Sequence, residues 1–160
     1  ILLEMMYDPE RMAPVFAAAE ATGLPVWAGF SARRGADGAM LGYGLQADVP
    51  LAEIVSVLRR WPVQAAGIMH TRADLVADAL EVLRAAFDGP LIAYPDAGHF
   101  RSPHWVFEEV IAPQDLRHLA AGWIGQGVQV LGGCCGLSPE HIAALRPLRH
   151  TPETLAALEP

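Results

Sequence analysis

Apolar runs of strand length alternate with helical patterns along this chain, and that alternation constrains the fold more than any other feature. The predicted strands are residues 1–5, 25–30, 63–69, 91–94 and 128–131. Near-continuous apolar runs separated by helices describe a parallel sheet covered on both faces. Helix signals fill the gaps. Asp8-Pro9-Glu10 places a cap, a proline and an acid at a helix start, and Gly23 marks its stop. Residues 50–61 carry Leu51, Ile54, Val55 and Leu58 on one helical face. Thr71 and Asp74 resemble a capping box for a helix running to about Phe87. Residues 113–126 form the next predicted helix, stopped by Gly127. Ser138-Pro139-Glu140 opens another, and Thr151-Pro152-Glu153 opens a short last one. The stretches from Gly35 to Gly44 and from Asp96 to Ala112 read as long loops.

Five βα units fit either an open doubly wound sheet or the C-terminal part of a closed (β/α)₈ barrel. No Gly-x-Gly-x-x-Gly follows the first strand, so a dinucleotide fold gains no positive support. The length, 160 residues, suits a single domain spanning 1–160. With 52% hydrophobic and 18% charged residues, the composition is that of a core-forming globular protein. The formal charge is −7 and lysine is absent, which argues against nucleic acid and anionic membrane as partners. No apolar stretch reaches the ~20 residues that span a bilayer. The N-terminus, Ile1-Leu2-Leu3-Glu4-Met5, has neither an initiator Met nor a charged signal region, so the front of a longer protein is expected to precede it. The two cysteines are adjacent, a placement that disfavours a structural disulfide. Together these features predict a reducing, cytoplasmic setting and a metal or redox use for the pair.

Parallel α/β architectures gather function at the C-terminal ends of their strands. Those ends are polar here: Glu4, then Ser31 with Arg33 and Arg34, His70, Asp96 with His99, and Cys134-Cys135. The sharpest signal is Gly132-Gly133-Cys134-Cys135-Gly136. Adjacent strand side chains point to opposite faces, so two neighbouring cysteines share a metal only where the backbone turns. Flanking glycines permit that turn. Two thiolates and one further ligand would make a catalytic zinc site with an open position. The competing reading is a pair of small buried apolar residues.

The run Gly132–Gly136 with Ser138-Pro139-Glu140-His141-Ile142 resembles the C-terminal signature of the homocysteine S-methyltransferase family. Leu2-Leu3-Glu4, Val26–Ser31, Gly67-Ile68-Met69-His70-Thr71 and Tyr94-Pro95-Asp96-Ala97-Gly98 resemble further family segments in the same order. The resemblance implies a (β/α)₈ barrel lacking its first three units, with zinc as cofactor. It implies Cys134 and Cys135 as two zinc ligands, His70 at the third position where the family has cysteine, and Glu4 as a contact to homocysteine. Asp96 stands where the family has asparagine. The implied reaction is methyl transfer to homocysteine, giving methionine, from a small donor such as betaine, S-methylmethionine or a methyl-folate. His99, His104 and Trp105 are expected in a loop that shapes specificity, while Arg33 and Arg34 read best as a solvated pair. Trp61 and Trp123 read as helix-packing residues. Open sheet edges imply a homo-oligomer or a missing N-terminal segment. Two other readings remain: a family relative that binds a small thiol or amino acid without turnover, and a thiol redox module, which lacks Cys-x-x-Cys spacing.

Overall fold

The computed structural model describes residues 1–44, 47–101, 104–107 and 110–149. Its strands are β1 (Leu2–Met6), β2 (Trp27–Phe30), β3 (Ala32–Arg34), β4 (Met40–Gly42), β5 (Ala65–Arg72), β6 (Leu91–Asp96), β7 (His99–Arg101), β8 (His104–Val106) and β9 (Val128–Leu131). Its α-helices are α1 (Pro9–Glu20), α2 (Leu51–Val55), α3 (Val76–Arg84), α4 (Pro113–Gly125) and α5 (Pro139–Leu145). No helix among the described residues is long and apolar enough to cross a membrane. The short helix expected at Thr151 lies outside the described residues, as do the side chains of His99, His104 and Trp105.

Five strands form one sheet in the order β1-β2-β5-β6-β9, and every pair in it is parallel. A doubly wound sheet reverses its strand order at a switch point. Here the spatial order follows the chain order, and α2, α3, α4 and α5 each contact the next helix. The helices therefore share one face, the arrangement of a partial (β/α)₈ barrel rather than of an open doubly wound sheet.

The two sheet faces differ in what they bury. Ala28, Phe30, Ile68, Leu91, Ala93 and Val128 face the helices and pack with Leu80, Leu83, Leu116 and Trp123. Each such large side chain stabilises the fold by roughly 1.5–3 kcal/mol on burial. The alternate positions Ala65, Met69, Ile92 and Tyr94 form a smaller cluster on the inner face, joined by Met5, Val130 and Cys134. Gly67 lets β5 and β6 meet closely, because a Cβ there would fall on the Ile92 backbone carbonyl. Trp123 is buried as expected, and Trp61 stacks on Phe16 with ring centroids 6.5 Å apart.

Local chemistry explains the helix ends. Asp8 caps α1 by accepting from the Glu10 N–H at 3.0 Å, and Gly23 beyond its end has φ +70°. Gly127 follows α4 with φ +95°. The helix expected over 50–61 is shorter: α2 tightens into a 3₁₀ turn over Ser56–Arg59. Ser56 Oγ donates to the Glu53 carbonyl at 2.6 Å, and Pro62 bars a helical residue before it.

Two other expectations are corrected. The stretches read as long loops each contain an antiparallel hairpin, β3–β4 and β7–β8. Asp37 Oδ1 accepts from the Ala39 N–H at 3.1 Å and Gly38 has φ +87°, which turns the first hairpin. The Thr71–Asp74 capping box does not form. Thr71 lies within β5, where its hydroxyl accepts from the Ala32 N–H at 2.9 Å and donates to the Met69 carbonyl at 2.8 Å. The Thr71 side chain thus ties β3 to β5, and no side-chain cap opens α3.

Candidate metal centre

His70 reaches the site through an irregularity in β5. Strand alternation puts Ile68 toward the helices and Met69 on the inner face, so a regular His70 would point away from that face. Instead His70 has φ +43°, and the β5–β6 register shifts between Met69 and Arg72. Left-handed backbone at a non-glycine residue costs on the order of 1–3 kcal/mol and clusters at functional sites. The kink delivers a buried imidazole, 4% exposed, to the rim of the sheet.

The cysteines arrive from β9. Three backbone hydrogen bonds pin the segment after this strand to β6 and its extension. Gly132 N–H donates to the Ala93 carbonyl at 2.9 Å, Cys134 N–H to Pro95 at 2.8 Å, and Ala97 N–H to Cys135 at 2.9 Å. Gly136, with φ +80°, completes the turn. The two sulfurs consequently lie side by side, 3.7 Å apart, and Cys134 Sγ is 3.6 Å from His70 Nδ1. The ligand atoms of His70, Cys134 and Cys135 all lie within 4.8 Å of one another, a grouping that could hold a metal ion.

The donor set fits zinc. With sulfur at ~2.3 Å and nitrogen at ~2.0–2.1 Å from a tetrahedral ion, neighbouring sulfurs stand about 3.8 Å apart and sulfur stands about 3.6 Å from nitrogen. The observed separations, 3.7 Å and 3.6 Å, match those edges. Burial pushes the Cys134 thiol up to about 11, and the charges of Cys135 and Asp96 add to that rise. Burial lowers the His70 pKa, which favours the neutral imidazole that a metal needs.

The surroundings include Asp96, which the sequence placed at a strand end on the shared rim, and Tyr43, which it did not single out. Asp96, at the end of β6, is 3% exposed, and its Oδ2 lies 3.5 Å from His70 Nδ1. Burial raises its carboxyl to about 6, against a lowering influence from its own backbone N–H and Arg72. Tyr43 stands edge-on to His70 with centroids 4.9 Å apart, placed by a hydrogen bond from its N–H to the Ser31 carbonyl at 3.0 Å. Burial, then the charges of Asp96, Cys135 and Tyr7, raise the Tyr43 pKa. A cavity of about 120 Å³ opens here, bordered by Arg33, Tyr43, His70, Arg72 and Asp96. Arg33 is held by Asp48 at 2.5 Å, and Arg34 pairs with Asp78, so both are tied into ion pairs rather than freely solvated.

Glu4 stands apart from the three-residue cluster. It is exposed on β1, the edge strand, with Leu3 beside it turned toward the helices. Its charge reaches Tyr94 on the inner face and, after burial, is the next cause raising that phenol's pKa. The Tyr94 hydroxyl is buried without a hydrogen-bond partner among the described residues. It lies over β2, where a side chain at Gly29 would collide with it. No sequence signal marked Tyr43 or Tyr94 as neighbours of these groups, because both contacts join segments distant along the chain.

A family model described as homocysteine S-methyltransferase matches residues 1–148. The chain belongs to the homocysteine S-methyltransferase family. Among its curated relatives, a homocysteine S-methyltransferase of Escherichia coli (strain K12) is 33% identical over 101 residues, covering 61% of this chain and 32% of the relative. A selenocysteine Se-methyltransferase of Brassica oleracea var. italica is 25% identical over 125 residues, covering 76% of this chain and 34% of the relative. This family member thus spans about a third of the length of the curated relatives it matches. Among solved structures, the apo form of the homocysteine methyltransferase MmuM from Escherichia coli superposes with a TM-score of 0.66 at 24% identity. That match covers 91% of this chain and 48% of MmuM, and it shows the fold. The metallated form of MmuM matches with a TM-score of 0.59 at 26% identity, covering 86% of this chain and 40% of that one.

Proposed function

We propose that this chain supplies the zinc-binding and homocysteine-binding part of an enzyme that transfers a methyl group from a small donor to homocysteine, giving methionine. The observation that carries this reading is the convergence of His70, Cys134 and Cys135, whose ligand atoms all lie within 4.8 Å of one another, with the Cys134 sulfur at tetrahedral edge distances from the other two. These three residues would hold the ion and leave one of four positions for a substrate sulfur. A zinc ion bound there lowers the pKa of a substrate thiol, so that the thiolate exists at neutral pH.

The chain's own groups do the rest. Glu4, on the inner-face edge, receives the ammonium of homocysteine. The cavity beside Tyr43 and Arg33 admits the donor, and its volume of about 120 Å³ suits a small one. In the transfer the homocysteine sulfur forms a bond to the methyl carbon while the donor's bond to that carbon breaks. The bonding electron pair leaves with the donor. Water is limited at the reacting end by buried Met69 and Tyr94 on the inner face.

Metal analysis under reducing conditions tests the reading. Purified protein is expected to carry a single zinc ion per chain, lost in Cys134→Ser, and to form methionine from homocysteine and a methyl donor. Absence of stoichiometric zinc from the wild-type protein, even after zinc is supplied, would overturn it.

A further inference from the structure

We propose that Asp96 is the outer charge partner of the metal centre, its buried carboxylate facing the cation that His70 holds. This rests on the zinc reading above. Three observations carry it. Asp96 is 3% exposed, and its Oδ1 is buried with no hydrogen-bond partner among the described residues. Its Oδ2 lies 3.5 Å from His70 Nδ1, the same nitrogen that lies 3.6 Å from Cys134 Sγ. Asp96 also ends β6, the strand between β5, which carries His70, and β9, which leads to the cysteines.

A buried carboxylate with an unused oxygen is costly to the fold unless a cation repays its lost hydration. Arg72, its register partner on β5, is directed instead into a two-point contact with Asp74 at 3.0 and 2.8 Å. Arg33, which borders the same cavity, is likewise paired, with Asp48. Among the described residues this leaves the His70–Cys134–Cys135 triangle as the place for compensating positive charge. Two thiolates and a neutral imidazole only balance a divalent ion, whereas Asp96 leaves the centre with a net negative charge. The contact is electrostatic: Nδ1 is the nitrogen that faces Cys134 Sγ, and as a ligand it carries no hydrogen for Asp96 to accept. Asp96 itself stays outside the ligand set, because it is not among the groups whose ligand atoms converge within 4.8 Å.

The test is zinc affinity by chelator competition for the wild type, Asp96→Asn and Asp96→Glu. Asp96→Asn is expected to weaken zinc binding about 10–100-fold. Asp96→Glu, which keeps the charge, should weaken it by less than about threefold. The metal-free Asp96→Asn protein should melt no lower than the metal-free wild type. An equal loss of affinity in both variants would assign Asp96 a general structural role and overturn the proposal, as would an unchanged affinity in Asp96→Asn. X-ray absorption showing a carboxylate oxygen bound to zinc in the wild type would also overturn it. Failure of the wild type to bind zinc at all would instead refute the metal reading itself.

Discussion

Cys134 Sγ lies 3.6 Å from His70 Nδ1, although 64 residues separate them in the chain. Neither residue is placed by its own strand geometry. His70 depends on a left-handed residue at the end of β5, and Cys134 on the turn that three hydrogen bonds hold against β6. Both kinks serve the same contact.

Replacing His70 by cysteine should preserve metal binding, because a thiolate there is an equally competent zinc ligand. Zinc content per chain checks this. Loss of the metal in His70→Cys, with the fold retained by circular dichroism, would remove His70 from the ligand position. The φ of +43° remains in the variant, so stability should change little.

Zinc affinity should rise with pH across the neutral range. The Cys134 thiol, held at about 11 in the metal-free protein, must lose its proton to bind. That proton alone makes affinity climb about tenfold per pH unit. His70 adds little slope there, because its lowered pKa keeps the imidazole neutral. Affinities measured at several pH values in a common buffer test this, and a flat profile contradicts it.

Thr71→Val should destabilise the fold by about 1–3 kcal/mol, since the Ala32 N–H loses its acceptor in a buried position. Chemical denaturation measures the effect. A change below about 0.5 kcal/mol would show that water or a backbone group replaces the hydroxyl.

The metal-free protein should lose stability as pH rises through the range of the Asp96 carboxyl. Its folded pKa, about 6, stands above the ordinary 3.8. The unfolded chain therefore releases its proton first. The contribution is fully present below the unfolded value, declines as pH rises, and is gone above the folded value. The size is about 3 kcal/mol. Urea midpoints for wild type and Asp96→Asn should diverge across this window, and parallel curves would contradict the burial of a carboxyl with raised pKa.

Much of this was legible in residue order. Five apolar runs became β1, β2, β5, β6 and β9; the central pair, β5 and β6, is buried almost throughout, and a strand so placed needs little but apolar residues at that length. The caps at Asp8 and the stops at Gly23 and Gly127 follow from local hydrogen bonding and permitted dihedrals. The hairpins inside both expected loops were not legible, since short strands depend on pairing rather than composition. Thr71 shows the limit clearly. Its pattern with Asp74 matched a cap, but the hydroxyl found a better use between two strands.

By itself the sequence determined the parallel α/β architecture, the polar rim of strand ends and the presence of a glycine-flanked cysteine pair. These rest on local periodicity and side-chain chemistry. Only the tertiary structure decided that strand order follows chain order, that His70 turns toward Cys134, and that Asp96 is buried against the imidazole. Those outcomes depend on how β5, β6 and β9 align side by side, and no short window of sequence encodes a register between strands tens of residues apart.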